Sequence, residues 1–169
     1  LTFKKKFGQN FLIDQNVLRN ITNSCKLTDK TGVIEIGPGL GSLTEFLSKG
    51  SKKVVCYEID TDLIEILRES FKDSNTTIVN QDILKVDIKN DINKYFNDTS
   101  TKDCAIVVPI YNTTPKFLEE ISILNTLKMF NDKYDIYLIH SEILDISYYT
   151  KRFYDAKFIS INKNIWNNS

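Results

Sequence analysis

Short apolar runs alternate with amphipathic stretches along the 169 residues of the chain. Apolar residues at helical spacing predict helices, and short continuous apolar runs predict buried strands. The predicted helices are 14–24 with Asp14 as N-cap, 42–49, 61–71 with Asp60 or Thr61 as cap, and 115–127 with Pro115 in its first turn. The predicted strands are 32–36, 53–57, 76–80, 104–108 and 134–139.

The last part of the chain changes this alternation. Segments 147–150 and 156–162 are predicted to form a final antiparallel strand pair. The fold class is therefore α/β, a doubly wound and mostly parallel sheet with an antiparallel C-terminal strand pair. The length suits one domain over 1–169. Sheets of this kind bind ligands at the carboxyl ends of their strands, near the point where the strand order reverses.

The net charge limits how the chain can bind a nucleic acid. Lys plus Arg and Asp plus Glu number 22 each, so the net charge is zero. Because domains that grip RNA over a wide surface are usually basic, contact must rest on a local patch or on a further part of the protein. Lys4, Lys5 and Lys6 form the best local patch. The alternative is a solvated N-terminal tail.

Cysteine and histidine usage argues against metal chemistry. Cys25, Cys56 and Cys104 form no CxxC pair, and there is a single histidine. We expect three reduced, buried thiols in an intracellular protein and no metal site. No apolar run approaches about 18 residues, the length that spans a membrane, so no membrane segment is expected.

A glycine-rich turn follows the first predicted strand. Gly37, Gly39 and Gly41 have the spacing G-x-G-x-G, and Glu35 stands two residues before the first of them. Dinucleotide-binding folds use G-x-G-x-x-G instead. The pattern resembles the E-x-G-x-G-x-G motif of class I methyltransferases, which bind S-adenosylmethionine. That cofactor has no phosphate, so the turn is expected to pass close to its methionine part.

Two further strand ends carry suitable polar groups. Glu58 lies 21 residues beyond Gly37, at the tip of the second strand, where an acid can accept hydrogen bonds from two ribose hydroxyls. The alternative role, capping the next helix, is already filled by Asp60 or Thr61. Asp82 follows the third strand and can accept the amine of adenine. The three strand ends together predict one nucleoside-binding site. Ile83 can pack against the adenine ring there.

The N-terminal run Lys5-Lys6-Phe7-Gly8-Gln9-Asn10-Phe11-Leu12 resembles the K-x-x-F-G-Q-N-F-L segment of the KsgA/Dim1 family of rRNA adenine dimethyltransferases. The resemblance extends through the glycine turn, Glu58-Ile59-Asp60 and Gln81-Asp82. The related Erm methyltransferases share only Q-N-F-L. The resemblance implies S-adenosylmethionine as cofactor and dimethylation at N6 of two adjacent adenosines near the 3′ end of small-subunit rRNA. It implies these cofactor residues: Gln9, Asn10, Leu12, Glu35, Gly37, Gly39, Glu58, Ile59, Asp82 and Ile83.

The catalytic motif of that family, N-L-P-Y or N-I-P-Y after the fourth strand, is incomplete. Alignment of Pro109 with the motif proline also matches Thr113-Thr114-Pro115, but the expected Asn is missing. The catalytic candidates are Pro109 and Tyr111. Tyr111 would stack on the target base; the alternative is that it packs under the following helix. The family also has a C-terminal helical domain, which we expect to be absent from 1–169.

Two interpretations of the missing motif stay open. In the first, the protein has the motif, but residues of its mobile loops are missing from this sequence. In the second, the protein is a non-catalytic RNA- or DNA-binding relative, like mitochondrial transcription factors of this superfamily. An Erm-type enzyme for large-subunit rRNA is a further alternative. The expected partner is rRNA in an immature small ribosomal subunit, the expected state a monomer. The expected compartment is the cytoplasm, or the mitochondrion or plastid-type organelle of a eukaryote with an AT-rich genome.

Overall fold

Six strands form one sheet in the computed structural model, which describes residues 14–96, 103–110, 135–141, 145–152 and 156–161. The order across the sheet is β3-β2-β1-β4-β5-β6. The strands are β1 (Thr31–Ile36), β2 (Lys53–Glu58), β3 (Thr76–Asn80), β4 (Asp103–Ile110), β5 (Asp135–Ser141) and β6 (Lys157–Ile161). The helices in these ranges are α1 (Gln15–Ser24), α2 (Ser42–Gly50), α3 (Thr61–Ser70), α4 (Ile88–Phe96) and α5 (Ser147–Arg152).

The strand order confirms the doubly wound prediction. The chain runs outward from β1 through β2 to β3 and then returns to place β4 on the other side of β1. Every described pair of neighbouring strands is parallel. The order therefore reverses between β1 and β4, and the carboxyl ends of β1, β2 and β3 lie at one edge, where sheets of this kind bind ligands.

Successive residues of each strand face opposite sides of the sheet, so each strand contributes to two cores. Val33 and Val54 pack with α1 and α2 on one side. Ile34 and Val55 pack on the other side with Ile92 and Phe96 of α4. Burial on both faces explains why these strands are continuous apolar runs rather than alternating ones.

The predicted helix starts agree with the caps. The Asp14 carboxylate accepts hydrogen bonds from the backbone N–H groups of Asn16 at 2.9 Å and Val17 at 3.2 Å. Asp60 caps α3 in the same way, with the N–H of Asp62 at 3.0 Å. Each side chain satisfies a donor that the first helical turn leaves without a partner.

The predicted antiparallel C-terminal strand pair is wrong. Residues 147–152 form α5, which starts where the Asp145 carboxylate accepts the N–H of Ser147 at 2.9 Å. This helix buries Tyr149 in the core. β6 then pairs with β5 in parallel. Two parallel neighbouring strands need a connection that returns the chain to the edge where the first strand began, and a helix can provide it. A hairpin turn joins only antiparallel strands.

The helix α4 was not predicted. Its apolar residues are spaced four apart, at Ile88, Ile92 and Phe96, among polar ones. Tyr57 of β2 donates a hydrogen bond to Asp91 at 2.7 Å and so ties this helix to the sheet. The Phe96 ring lies directly over Gly32, where a Cβ would be 2.5 Å from it. The helical spacing of apolar residues was therefore present in the sequence, but it rested on only these three residues.

The predicted helix 115–127 lies outside the described residues. In the part of the chain that the structure describes, no helix has the length and apolarity needed to cross a bilayer. Those same residues bring no group of three or more His, Cys, Asp or Glu side chains together in a way that could hold a metal ion.

Candidate nucleoside-binding site

A left-handed turn connects β1 to α2. Gly37, Gly39 and Gly41 have φ angles of 72°, 60° and 84°, a region that other residues enter only at a cost. The Gly37 N–H donates to the Tyr57 carbonyl at 2.9 Å, and the Gly41 N–H donates to the Pro38 carbonyl at 3.0 Å. The first bond holds the turn against the end of β2.

The glycines differ in what surrounds them. A Cβ built on Gly41 would lie 2.6 Å from the Phe71 ring, so this glycine is needed for packing against α3. Among the described residues, a Cβ built on Gly37 would meet nothing within 4 Å. This leaves space in which a ligand can approach the backbone.

Glu58 is held beside this turn at the end of β2. It is 4% exposed. One carboxylate oxygen accepts the N–H of Asp60 at 2.9 Å, and the other accepts the N–H of Gly39 at 3.3 Å. Burial raises the pKa of the Glu58 carboxyl, and these backbone bonds oppose part of the rise. The carboxylate thus has a fixed position next to the open space at Gly37.

The third strand end is joined to the second. The Asn80 side chain donates a hydrogen bond to the Glu58 carbonyl at 2.9 Å, across the register pair that these two residues form. Asp82 and Ile83 follow as half-buried residues, and the Lys85 N–H closes a short turn on the Asp82 carbonyl at 2.9 Å.

Glu35 lies below the turn, in the protein interior. It is 1% exposed. Its carboxylate accepts a hydrogen bond from the Thr44 hydroxyl at 2.6 Å and one from the Cys56 thiol at 3.4 Å. Burial raises the pKa of Glu35 to about 7, and nearby Glu58 adds to the rise. This residue therefore joins β1, α2 and β2 beneath the glycines, and its side chain does not line the open edge.

The structure thus gathers Gly37, Gly39 and Glu58 at one edge, with Asp82 and Ile83 on the segment that follows the neighbouring strand β3. Ile59 is 47% exposed directly after Glu58. Lys4, Lys5, Lys6, Gln9, Asn10, Leu12 and Tyr111 lie outside the described residues, so their predicted roles stay predictions.

Pro109 is described as part of the backbone of β4. The paired register of β1 and β4 extends as far as Glu35 and Val107. Two residues farther along each strand, Pro109 is level with Gly37. Its partner on the other side is Ile139 of β5. Proline has no N–H to donate, and it fits a central strand best where one neighbour has already ended. Val108 leads directly into Pro109, and no Asn stands between them.

Three contributors to the site were not predicted: Thr44 and Cys56, which donate to Glu35 beneath the glycines, and the amide of Asn80. Thr44 stands in a helix and Cys56 in an apolar strand, so neither shows polar chemistry in the sequence. Asn80 opens the polar segment after β3, which did mark it as a strand-end residue, but its contact with Glu58 depends on strand pairing.

Comparison with known proteins identifies the family. The family model described as ribosomal RNA adenine dimethylase matches residues 1–143. The chain is 47% identical over 117 residues to the ribosomal RNA small subunit methyltransferase A of Staphylococcus haemolyticus, covering 69% of this chain and 40% of that protein. The chain thus spans about two fifths of the length of the curated relatives that it matches.

Solved structures agree with the fold. The 23S rRNA methyltransferase ErmE is 29% identical with a TM-score of 0.52, over 69% of this chain and 41% of that one. A dimethyladenosine transferase from Plasmodium falciparum superposes with a TM-score of 0.57 at 20% identity, over 78% of this chain and 43% of that one. With its class I methyltransferase fold, its glycine turn and the match over residues 1–143, this chain belongs to the ribosomal RNA adenine dimethylase family.

Proposed function

We propose that this chain binds S-adenosylmethionine at the edge formed by Gly37, Glu58 and Asp82, and transfers its methyl group to N6 of adenines in small-subunit rRNA. The observation that carries the proposal is the convergence of three parallel strand ends on one open edge, together with the family match over residues 1–143.

The residues present fit this cofactor. Glu58 is held with both carboxylate oxygens toward backbone donors, and each oxygen keeps acceptor capacity for a ribose hydroxyl. Within the described ranges, neither Glu58 nor Glu35 forms a salt bridge with a Lys or Arg. Among the described residues, a positively charged ligand at this edge would therefore meet the Glu58 carboxylate, with the buried Glu35 carboxyl beneath it, and no lysine or arginine paired with either.

When bound, the cofactor supplies a methyl group on a positively charged sulfur, and the adenine nitrogen that gains the methyl group loses a proton to solvent. The protein's part is to bind and to orient. The family resemblance assigns the Pro109 carbonyl to the adenine amine and Tyr111 to the base. The level position of Pro109 and Gly37 across β4 and β1 supports the first assignment. Positioning of this kind accounts for much of the rate of such transfers.

Binding and transfer are tested separately. Calorimetry with S-adenosylmethionine tests the site, and Glu58→Gln is expected to weaken binding at least tenfold. Glu65→Gln is the matched control, since Glu65 lies exposed on α3. Transfer is tested with labelled cofactor and immature small ribosomal subunits, followed by mass spectrometry of the nucleosides. Dimethyladenosine supports the proposal, and binding without any product overturns its catalytic half.

A second candidate function has one observation in its favour. Val108 leads directly into Pro109 within β4, so the Asn of the family's catalytic motif is missing there. A non-catalytic factor that binds the cofactor and RNA would give cofactor binding with no methyl transfer to either ribosomal subunit. An Erm-type activity would instead modify large-subunit rRNA, so both subunits are offered as substrates in the same assay.

The remaining assignments follow from the proposed activity. We infer that the partner is rRNA of an immature small subunit, reached through Lys4, Lys5 and Lys6, and that the chain acts as a monomer. The cytoplasm is the expected compartment, with an organelle of an AT-rich eukaryote as the alternative. Crosslinking to RNA, and sedimentation of the purified protein, test the first two points.

A further inference from the structure

Glu35 is one of the cofactor residues that the family resemblance implies, yet the structure places it as a buried carboxyl directly beneath the cofactor edge and not on it. It is 1% exposed and stands two residues before Gly37. Isolated ionised carboxylates are costly to bury, so a carboxyl in such a place is either neutral or offset by a nearby positive charge. The described surroundings determine which of these holds.

Among the described residues, the groups around Glu35 include no cation. From α2, the Thr44 hydroxyl donates to it at 2.6 Å. From β2 it faces the Cys56 thiol and, farther off, the Glu58 carboxyl. Its register partner on β4 is the apolar Val107.

The charged residues of the covering helices point elsewhere. Arg19 of α1 is exposed, and Glu45 and Lys49 of α2 form an exposed pair at 2.6 Å. In the part of the chain that the structure describes, the site therefore supplies two buried carboxyls and no positive charge to balance them.

S-adenosylmethionine and its product differ in this respect. The methyl donor carries a positive sulfonium, whereas the product, S-adenosylhomocysteine, has an uncharged thioether, and the rest of the two molecules is the same. A carboxyl that ionises beneath the site is stabilised by the donor and not by the product.

We propose that Glu35 is the charge-balancing residue of the cofactor site: it releases its proton to solvent when the cationic methyl donor binds, and this favours the donor over the uncharged product. Thr44 is the positioning residue for this step, because its hydroxyl donates to the ionised carboxylate. The inference rests on the proposed function. The charges balance in either starting state: a protonated Glu35 releases its one carboxyl proton to the buffer when the positive sulfur enters, and a Glu35 that is already ionised releases none.

Burial brings the titration of Glu35 into the physiological pH range. The pKa of Glu35 is raised to about 7, so part of the ligand-free protein holds this proton near neutral pH. Binding of the donor near neutral pH should then release a fraction of a proton, and this fraction should fall as the pH rises. The affinity for the donor should rise several-fold from pH 6 to pH 8, whereas the affinity for the product should change much less.

Calorimetry in buffers of different ionisation enthalpy measures the released protons directly. The wild-type protein is expected to release protons with the donor and clearly fewer with the product, which also controls for the amino group that both ligands carry. Glu35→Gln is expected to lose this difference and to lower the donor-to-product affinity ratio at least threefold at pH 8. Glu45→Gln, one residue beyond Thr44 on the exposed side of α2, is expected to behave as wild type.

A second pair of variants keeps the test independent of the folding of Glu35→Gln. Thr44→Val removes the donor to the carboxylate, so it should move the pH midpoint of donor binding upward by at least half a unit, and Thr44→Ser should restore it. If proton release persists in Glu35→Gln, or donor and product release equal amounts from wild type, the inference is wrong while the proposed function stands. If neither ligand binds, both fail together.

Discussion

The Asn80 amide donates a hydrogen bond to the Glu58 carbonyl at 2.9 Å and so joins the ends of β3 and β2 at the cofactor edge. A second asparagine stands at the opposite end of the same strand. Asn75 precedes β3 and donates to three backbone carbonyls, those of Ser48, Ser51 and Lys52, at 2.8–3.1 Å. The two residues are alike in chemistry and differ in which edge of the sheet they tie together.

This contrast yields the first prediction. Asn80→Ala should weaken cofactor binding about three- to tenfold, because the segment that carries Glu58 loses a fixed neighbour, and should cost at most about 1 kcal/mol of stability. Asn75→Ala should cost about 2–3 kcal/mol, because three carbonyls lose their donor, and should leave cofactor affinity unchanged. Urea denaturation and calorimetry measure the two effects. Equal effects of both variants on affinity would contradict the assignment of the site to the Asn80 edge.

A second prediction separates the glycines. Gly41→Ala should destabilise the protein by about 2–4 kcal/mol, since a left-handed φ and a clash with the Phe71 ring add together. Gly37→Ala should cost only about 1–2 kcal/mol, because its new methyl group meets no described residue within 4 Å. The same methyl group would occupy the space offered to the cofactor, so affinity should fall at least tenfold. Thermal melting with and without S-adenosylhomocysteine distinguishes these effects, and a Gly37→Ala protein that is stabilised by ligand as much as wild type would argue against this location.

A third prediction concerns stability against pH. The pKa of Glu35 is 4.5 in its ordinary environment and about 7 when buried here. As pH rises above about 4.5, the Glu35 carboxyl loses its proton in the unfolded chain before it does so in the folded protein. The unfolded state is therefore stabilised relative to the folded state. The stability contributed by Glu35 is therefore highest below pH 4.5 and is lost by the time the pH passes 7, a change of about 3 kcal/mol.

Glu35→Gln removes this titration. Urea denaturation at pH 5, 6, 7 and 8 should show that the wild-type protein loses stability relative to Glu35→Gln as pH rises. Glu69→Gln, at an exposed residue of α3 that pairs with Lys72, serves as control and should parallel the wild type. A difference between wild type and Glu35→Gln that does not change with pH would mean that the buried carboxyl does not titrate in this range.

A fourth prediction concerns the three cysteines, which are all buried and free. Burial raises the pKa of Cys25 and of Cys104 to about 12 and that of Cys56 well above its ordinary value. Because the thiolate is the reactive form, the native protein should react with Ellman's reagent at pH 8 only as fast as it opens. Three thiols should react at once in denaturant. A thiol that reacts in the native state within the mixing time would show that one of these sites is open to solvent.

The sequence by itself determined the first three strands and the starts of two helices. The apolar runs at 32–36, 53–57 and 76–80 correspond to β1, β2 and β3 within one residue at each end, and Asp14 and Asp60 cap the helices that they were predicted to cap. These features are local, since a cap acts within three residues and a buried parallel strand must be apolar on both faces. The glycine spacing and the acid at Glu58 are local signals as well.

Contacts between distant segments were decided only by the tertiary structure. Glu35 became a buried acid because Thr44 and Cys56 converge on it from two other elements, and Asn80 reaches Glu58 because β3 pairs with β2 in one particular register. The parallel placement of β6 depended on the same kind of contact. Segment 147–150 has a short apolar pattern that suits a strand or a helix equally, and in the folded chain it lies in a helix that buries Tyr149 in the core. A hydrophobic pattern states which residues are buried, whereas the folded chain alone determines what each buried group meets.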